Sequence, residues 1–195
     1  MSIFNKLKKP RHTLPVRLFH WVYAPAVLAG IISGYYIANP NRKLGFKDME
    51  SARKTHFLAQ YMLIFSFLGR VYYSYVTKNY KEIIPGKKDL KEAPKYMKYQ
   101  LFLSDKKPKY LKYNPFQKTV FTLFAFLIPV QIISGLALYF TDKFKQATGA
   151  VGGLNPMRQV HYLVSLAVTS LTLGHIYFAL TDSLKRLKSI FTGYR

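Results

Sequence analysis

A chain of 195 residues that is half apolar and yet carries a formal net charge of +22 must keep its apolar runs and its lysines apart. That segregation is a membrane pattern, and the length suits a single domain spanning residues 1–195. A nucleic-acid binder can be as basic, but it needs no apolar stretches of about 20 residues, the span of a bilayer core. The absence of cysteine excludes disulfides, thiolate-held iron–sulfur clusters and covalently attached haem c.

In chain order, a basic segment (Lys6, Lys8, Lys9, Arg11) leads into an apolar run from about Val16 to Ala38. That run is too long for the core of a signal peptide and reads as a retained first span. Three more spans are expected from about Thr55 to Val76, Phe116 to Phe140 and Val160 to Leu180. No backbone group can stay unpaired in lipid, so all four should be helices, with Pro25 and Pro129 kinking two of them. The expected fold class is therefore all-α, an integral membrane four-helix bundle.

Orientation follows from the lysines and arginines between the spans. The N-terminal tail, the Lys78–Asn114 loop and the tail after Asp182 together hold about 20 of them, against about eight in the two opposite loops. Both termini and the middle loop are thus expected in the cytoplasm, with a multi-pass chain in a bacterial inner membrane. The bias is incomplete, because Arg42, Lys43, Lys47, Arg53 and Lys54 fall outside. The middle loop, with Pro85-Gly86, Pro94 and the stretch Lys95-Tyr96-Met97-Lys98-Tyr99, reads as a solvated loop. Lying on anionic headgroups is its other reading.

Of five histidines, four lie within or at the edge of spans: His20, His56, His161 and His175. Ionisable residues at membrane depth are rare, so each is a functional candidate. His161 and His175 are 14 positions apart, which on a helix returns to within about 40° of one face some 21 Å further along. By topology His161 and His56 lie near the outer ends of their spans, His175 and His20 near the cytoplasmic ends. The depth-matched pairs are His56 with His161 and His20 with His175. A structural zinc wants four ligands, two more than each depth offers. Two trans imidazoles satisfy haem iron and leave no open coordination position, which favours electron transfer. The expected cofactors are two b-type haems, outer and inner, with these four histidines as iron ligands.

Supporting residues are read less sharply. Gly30, Gly34, Gly135 and Gly174 would let a porphyrin approach, although Gly30-x-x-x-Gly34 serves helix packing equally well. Arg17 and Arg53, each three residues before a histidine, are candidates for haem propionates, and snorkelling to headgroups explains them nearly as well. Arg70, deeper in its span, is a candidate for a propionate or a quinone. His12 precedes the first span and reads as a surface histidine.

These residues resemble the b-type cytochrome subunit of membrane-bound nickel–iron hydrogenases, almost end to end. The similarity runs through Pro15-Val16-Arg17-Leu18-Phe19-His20-Trp21 and Ser33-Gly34-Tyr35-Tyr36-Ile37-Ala38-Asn39-Pro40. It continues through Ala52-Arg53-Lys54-Thr55-His56-Phe57, Gly69-Arg70-Val71-Tyr72-Tyr73, Asn114-Pro115 with Gln117, and Ile133-Ser134-Gly135-Leu136-Ala137-Leu138-Tyr139. It closes with Gly174-His175-Ile176-Tyr177-Phe178-Ala179-Leu180 and Gly193-Tyr194-Arg195.

The resemblance implies a membrane anchor for a hydrogenase whose large (Ni–Fe) and small (Fe–S) subunits face the periplasm. Electrons would leave a small-subunit cluster, enter the outer haem, pass to the inner one and reduce a quinone, menaquinone or ubiquinone, near the cytoplasmic side. The family's four ligand histidines fall on His20, His56, His161 and His175. The Tyr113-Asn114-Pro115-Phe116-Gln117 stretch is similar to a motif beside the quinone site of formate dehydrogenase cytochromes, which makes Asn114 and Gln117 candidate quinone contacts. The chain departs from many members in a shorter outer loop before the fourth span and a heavier lysine load. The expected role is electron transfer without hydrogen activation by this chain, which has neither cysteines for nickel–iron nor a catalytic acid pair. The alternative partner is a formate dehydrogenase or thiosulfate-type reductase. The rival from another class is a histidine-based metal-ion transporter, but the four spans contain no Asp or Glu to carry charge.

Overall fold

The structure, a computed structural model, describes residues 10–42, 44–106, 108–110, 112–181 and 184–194. Lys6, Lys8, Lys9, Lys43 and Arg195, which entered the charge count and the sequence motifs, lie outside the described residues. Among these, regular structure is entirely helical: α1 (Leu14–Ala38), α2 (Met49–Val76), α3 (Tyr80–Ile83), α4 (Lys87–Gln100), α5 (Pro115–Tyr139), α6 (Lys145–Ala150), α7 (Leu154–Thr181) and α8 (Leu184–Thr192). Three of them, α1, α5 and α7, are long and apolar enough to cross a membrane. Helix α2 matches them in length, but Gln60, Arg70 and four tyrosines in its apolar stretch make it less apolar.

Helix ends explain where the expected span limits moved. Helix α2 begins six residues before Thr55, because Asp48 caps it: the Asp48 carboxylate accepts from the Ser51 N–H at 2.7 Å. Its first turns are charged, with Glu50 and Lys54 paired across the surface, so they lie outside the apolar run. Helix α7 likewise starts at Leu154, with Pro156 in its first turn, where a missing N–H costs nothing. Both internal prolines, Pro25 and Pro129, sit within unbroken helices.

Contacts gather the chain into two compact units, one of Met1–Tyr73 with Ile176–Arg195 and one of Ser74–His175. In the first, the buried positions of α1 and α2 are mostly small: Ala26, Val27 and Ser33 on one, Ala52, Ala59 and Ser66 on the other. Close approach replaces bulk here, as it does between helices in lipid. Gly69 shows the tolerance: a Cβ there would lie 2.6 Å from the edge of the Phe19 ring. Phe19 also packs on Tyr73, whose hydroxyl shares a 2.8 Å hydrogen bond with Thr13. Helix α8 closes back on the start of α1. Arg17 donates to the Phe191 carbonyl, and the Trp21 indole N–H donates to Ile190 at 3.2 Å while its ring lies on Phe191. Gly193 turns the chain with φ +87°, and its carbonyl accepts from the Arg11 N–H at 2.8 Å.

The second unit corrects the reading of the middle loop. It is not an open solvated loop, because α3 and α4 form within it and pack on α5. Tyr96 is 2% exposed and meets Tyr110 edge-on, with ring centroids 5.8 Å apart. Asp89 accepts from the Gly86 N–H at 2.8 Å and from the Lys118 ammonium of α5 at 2.9 Å. Lys112 pairs with Glu82 at 2.6 Å. The lysine-rich composition concealed these links, since only one face of α4 needs to be apolar.

Partial burial on its own would raise the Asp89 carboxyl; the Gly86 N–H and the Lys118 ammonium outweigh it and hold the group below the ordinary carboxylate range. A folded-state value below the unfolded one, about 3.9, makes this stabilisation complete above that value and lost as pH falls through the lowered one. Asp89→Asn should therefore lower the thermal midpoint of the detergent-purified protein at neutral pH. That difference from the native chain should shrink to nothing as pH falls through the Asp89 titration, read by melting curves across pH 2–7. For the α1–α2 contact, Gly69→Leu should cost about 1–3 kcal/mol by overpacking against Phe19, measured by denaturation in mild detergent.

Candidate functional site

The imidazoles that the sequence singled out are held by specific neighbours within each unit. His56 lies seven positions after Met49, the first residue of α2, and His161 seven after Leu154, the first of α7. Both therefore sit about 10 Å in from the helix start. In the first unit, His56 Nδ1 is 3.0 Å from the Ser33 hydroxyl of α1. The ring rests over Gly34, where a Cβ would come within 3.4 Å of its Cε1. Gly34 thus lies in van der Waals contact with the imidazole. Ser33 is fully buried, and its Oγ also donates to the Ala29 carbonyl at 2.6 Å.

The second unit repeats the device with different elements. His161 Nδ1 is 2.8 Å from the Ser134 hydroxyl of α5, and Ser134 is 3% exposed. The Ser134 Oγ also donates to the Gln131 carbonyl at 3.2 Å. On the far side of the ring, the Gln131 side-chain amide stands 3.1 Å from Nε2. His175, further along α7, is flanked edge-on by Phe121 and Phe124 of α5, at 6.3 and 6.4 Å between centroids. His20 is partly buried in α1, with its ring edge-on to Trp21.

The other sequence candidates take varied positions. Arg17 is engaged with α8 through the Phe191 carbonyl. Arg53 is exposed on the first turns of α2, and Arg70 is partly buried further along. Asn114 and Gln117 form a reciprocal cap at the start of α5: Asn114 Oδ1 accepts from the Gln117 N–H at 2.7 Å, and Gln117 Oε1 accepts from the Asn114 N–H at 3.1 Å. Asn114 is 2% exposed. Gly30 and Gly174 have open space where a side chain would project. His12, near the start of α1, donates its backbone N–H to the Gly193 carbonyl.

The donor set suits haem iron. It consists of imidazoles with buried partners, and no group of three or more His, Cys, Asp or Glu that could hold a bare metal ion occurs among the described residues. The buried polar atoms that lack hydrogen bonds among the described residues include Gln60 Nε2 and Ser66 Oγ on α2, and Thr122 Oγ1 and Gln131 Oε1 on α5. Unsatisfied buried polar groups are rare in native proteins, and a bound group is one explanation for them. Sequence reasoning overlooked Ser33, Ser134, Gln131, Phe121 and Phe124. The repeated tripeptides Ile32-Ser33-Gly34 and Ile133-Ser134-Gly135 were the signal that could have found the serines.

Comparison with known proteins agrees with this chemistry. The chain is 28% identical to the probable Ni/Fe-hydrogenase B-type cytochrome subunit of Rhodobacter capsulatus, over 90% of this chain and 75% of that one. It is 26% identical to the protein of the same name from Azotobacter vinelandii, over 91% and 82%. To the probable Ni/Fe-hydrogenase 1 B-type cytochrome subunit of Escherichia coli K12 it is 23% identical, over 93% and 88%. The family model described as prokaryotic cytochrome b561 matches residues 11–193. With nearly its whole length matched, the chain belongs to the prokaryotic cytochrome b561 family, membrane proteins that carry haem b.

Proposed function

We propose that this chain is the membrane-embedded di-haem subunit of a nickel–iron hydrogenase, passing electrons from the small-subunit iron–sulfur cluster on the periplasmic side to the quinone pool. The observation that carries the reading is the pair of imidazoles, His56 and His161, each seated at the same distance into its helix and each held by a buried serine. The order of the spans in the sequence supports a shared outer haem for these two, and His20 with His175 for the inner one. The relatives' names supply the partner, a hydrogenase.

Helix α2 belongs with the spans in this reading, making four. Leu58, Tyr61, Phe65, Leu68, Tyr72 and Tyr75 are all more than half exposed, and their spacing of three or four places them along one side of the helix. An apolar stripe turned outward suits lipid, and Gln60 and Ser66 then point their polar atoms into the protein. The charge bias of the loops supports cytoplasmic termini in an inner membrane.

Haem b, held by His20, His56, His161 and His175, would supply a one-electron iron couple. The chain's own part would be to hold these imidazoles: His56 against Ser33, His161 against Ser134, and His175 edge-on to Phe121 and Phe124. The cap at the start of α5 engages Asn114 Oδ1 and Gln117 Oε1, so a quinone carbonyl there would be met by the amide nitrogens of the same side chains. Arg53 and Arg70 are the cations offered to propionates or to the quinone, whereas Arg17 would have to leave the Phe191 carbonyl to serve.

Isolation of the chain from its native membrane should recover nickel-containing hydrogenase subunits, and hydrogen should reduce its Soret and α-band absorption. Recovery of a molybdenum subunit without nickel would replace hydrogenase with a formate dehydrogenase or related reductase as partner. A preparation with no reducible haem bands would overturn the haem reading. In the purified chain, His161→Ala should lower haem content from two to about one while the remaining band stays reducible. Unchanged haem content would refute the ligand assignment.

A further inference from the structure

We propose that Ser33 and Ser134 are positioning residues that fix the tautomer of His56 and His161, so that each ring carries its proton on Nδ1 and offers Nε2 to iron. The inference rests on the reading of these histidines as haem ligands. It concerns what the chain does to them before and after haem binds.

A serine hydroxyl has one hydrogen and two lone pairs. Ser33 spends its hydrogen on the Ala29 carbonyl, 2.6 Å away, one turn back along α1. Toward His56 Nδ1, at 3.0 Å, it then presents a lone pair and the ring supplies the proton. The Gly30 backbone of α1 is a second hydrogen-bond partner of this imidazole. Ser134 has the same back-bond open to it, to the Gln131 carbonyl at 3.2 Å, and stands 2.8 Å from His161 Nδ1. The Gln131 side-chain amide, 3.1 Å from His161 Nε2, is a second polar neighbour of that ring. With the hydroxyl hydrogens on the carbonyls, both rings carry the proton on Nδ1 and the lone pair on Nε2.

Sequence and burial make this a built arrangement. Each serine is the middle residue of an Ile-Ser-Gly tripeptide in the outer half of its helix, and each is almost completely buried. In lipid-exposed helices a serine commonly satisfies itself on its own backbone. These two do that and also turn the remaining lone pair to a ring on the neighbouring helix, so the back-bond is what orients the acceptor. Gln131 adds a consequence: its amide is 3.1 Å from His161 Nε2, so iron taken at that nitrogen would displace it.

Hydrogen bonding from Nδ1–H to an acceptor makes the ligating nitrogen more electron-rich and the ring orientation fixed. An electron-rich axial ligand stabilises ferric iron, so these serines should hold the outer haem at a lower potential than an unsupported bis-imidazole haem.

The test uses the full chain, haem-loaded, in detergent or nanodiscs, with potentiometric titration of both haems and electron paramagnetic resonance of the ferric form. Ser134→Val and Ser134→Thr are matched in shape, and only threonine keeps the hydroxyl. The expected result is a higher midpoint for one haem, or its selective loss, in Ser134→Val, with Ser134→Thr close to native. Ser33→Ala should affect the same haem as Ser134→Val. If valine and threonine variants give the same potentials, spectra and haem content, the proposal is overturned while the haem reading stands. If the native chain takes up no haem, the ligand reading fails before the serines are at issue.

Discussion

Inside a bilayer, turning an apolar side chain inward gains nothing, because lipid tails are as apolar as leucine. Helices held there must adhere through close backbone approach and through the few polar groups they can pair. This constraint organises the chain. It explains why alanines and serines recur among the buried residues of α1 and α2, while Phe65 and Tyr72 are turned outward. It also explains why His56 and His161 are held by hydroxyls. A neutral imidazole in such surroundings needs a partner for its N–H, and serine is the smallest side chain that provides one without forcing the helices apart.

Polar contacts in this setting therefore do two jobs at once. The Ser33–His56 bond ties α1 to α2, and the Ser134–His161 bond ties α5 to α7. On the proposed function, a residue that holds haem is thus also part of the adhesive between helices: its loss would loosen the scaffold, and a shift of the scaffold would retune it. Such sharing is economical in a chain with no cysteine for a cross-link, and it leaves few positions around the histidines indifferent to change.

Three spans, α1, α5 and α7, were readable because bilayer thickness imposes a run of about 20 apolar residues, a demand visible in any sequence. The histidines stood out as candidates because an ionisable group in such a run is rare. What escaped had local causes. The start of α2 is charged and capped by Asp48, so no hydropathy argument reaches it. The middle loop hid α4 because one buried tyrosine, Tyr96, and one ion pair, Asp89 with Lys118, suffice to dock a helix that is otherwise lysine-rich. Asn114 and Gln117 carry the spacing of a capping box and were noticed for a different reason. The serines were invisible as partners because sequence spacing says nothing about which neighbouring helix a hydroxyl faces.

The closure of α8 onto the beginning of α1 has a meaning for biosynthesis. Arg11 and Arg17 find their backbone partners at Gly193 and Phe191, the latter 174 positions along the chain. These contacts are among the least local in the described residues, and contacts of that kind form late. During synthesis the seal of α8 on α1 can therefore form only after α8 has been made, whereas the bond between Thr13 and Tyr73 needs only the first two long helices.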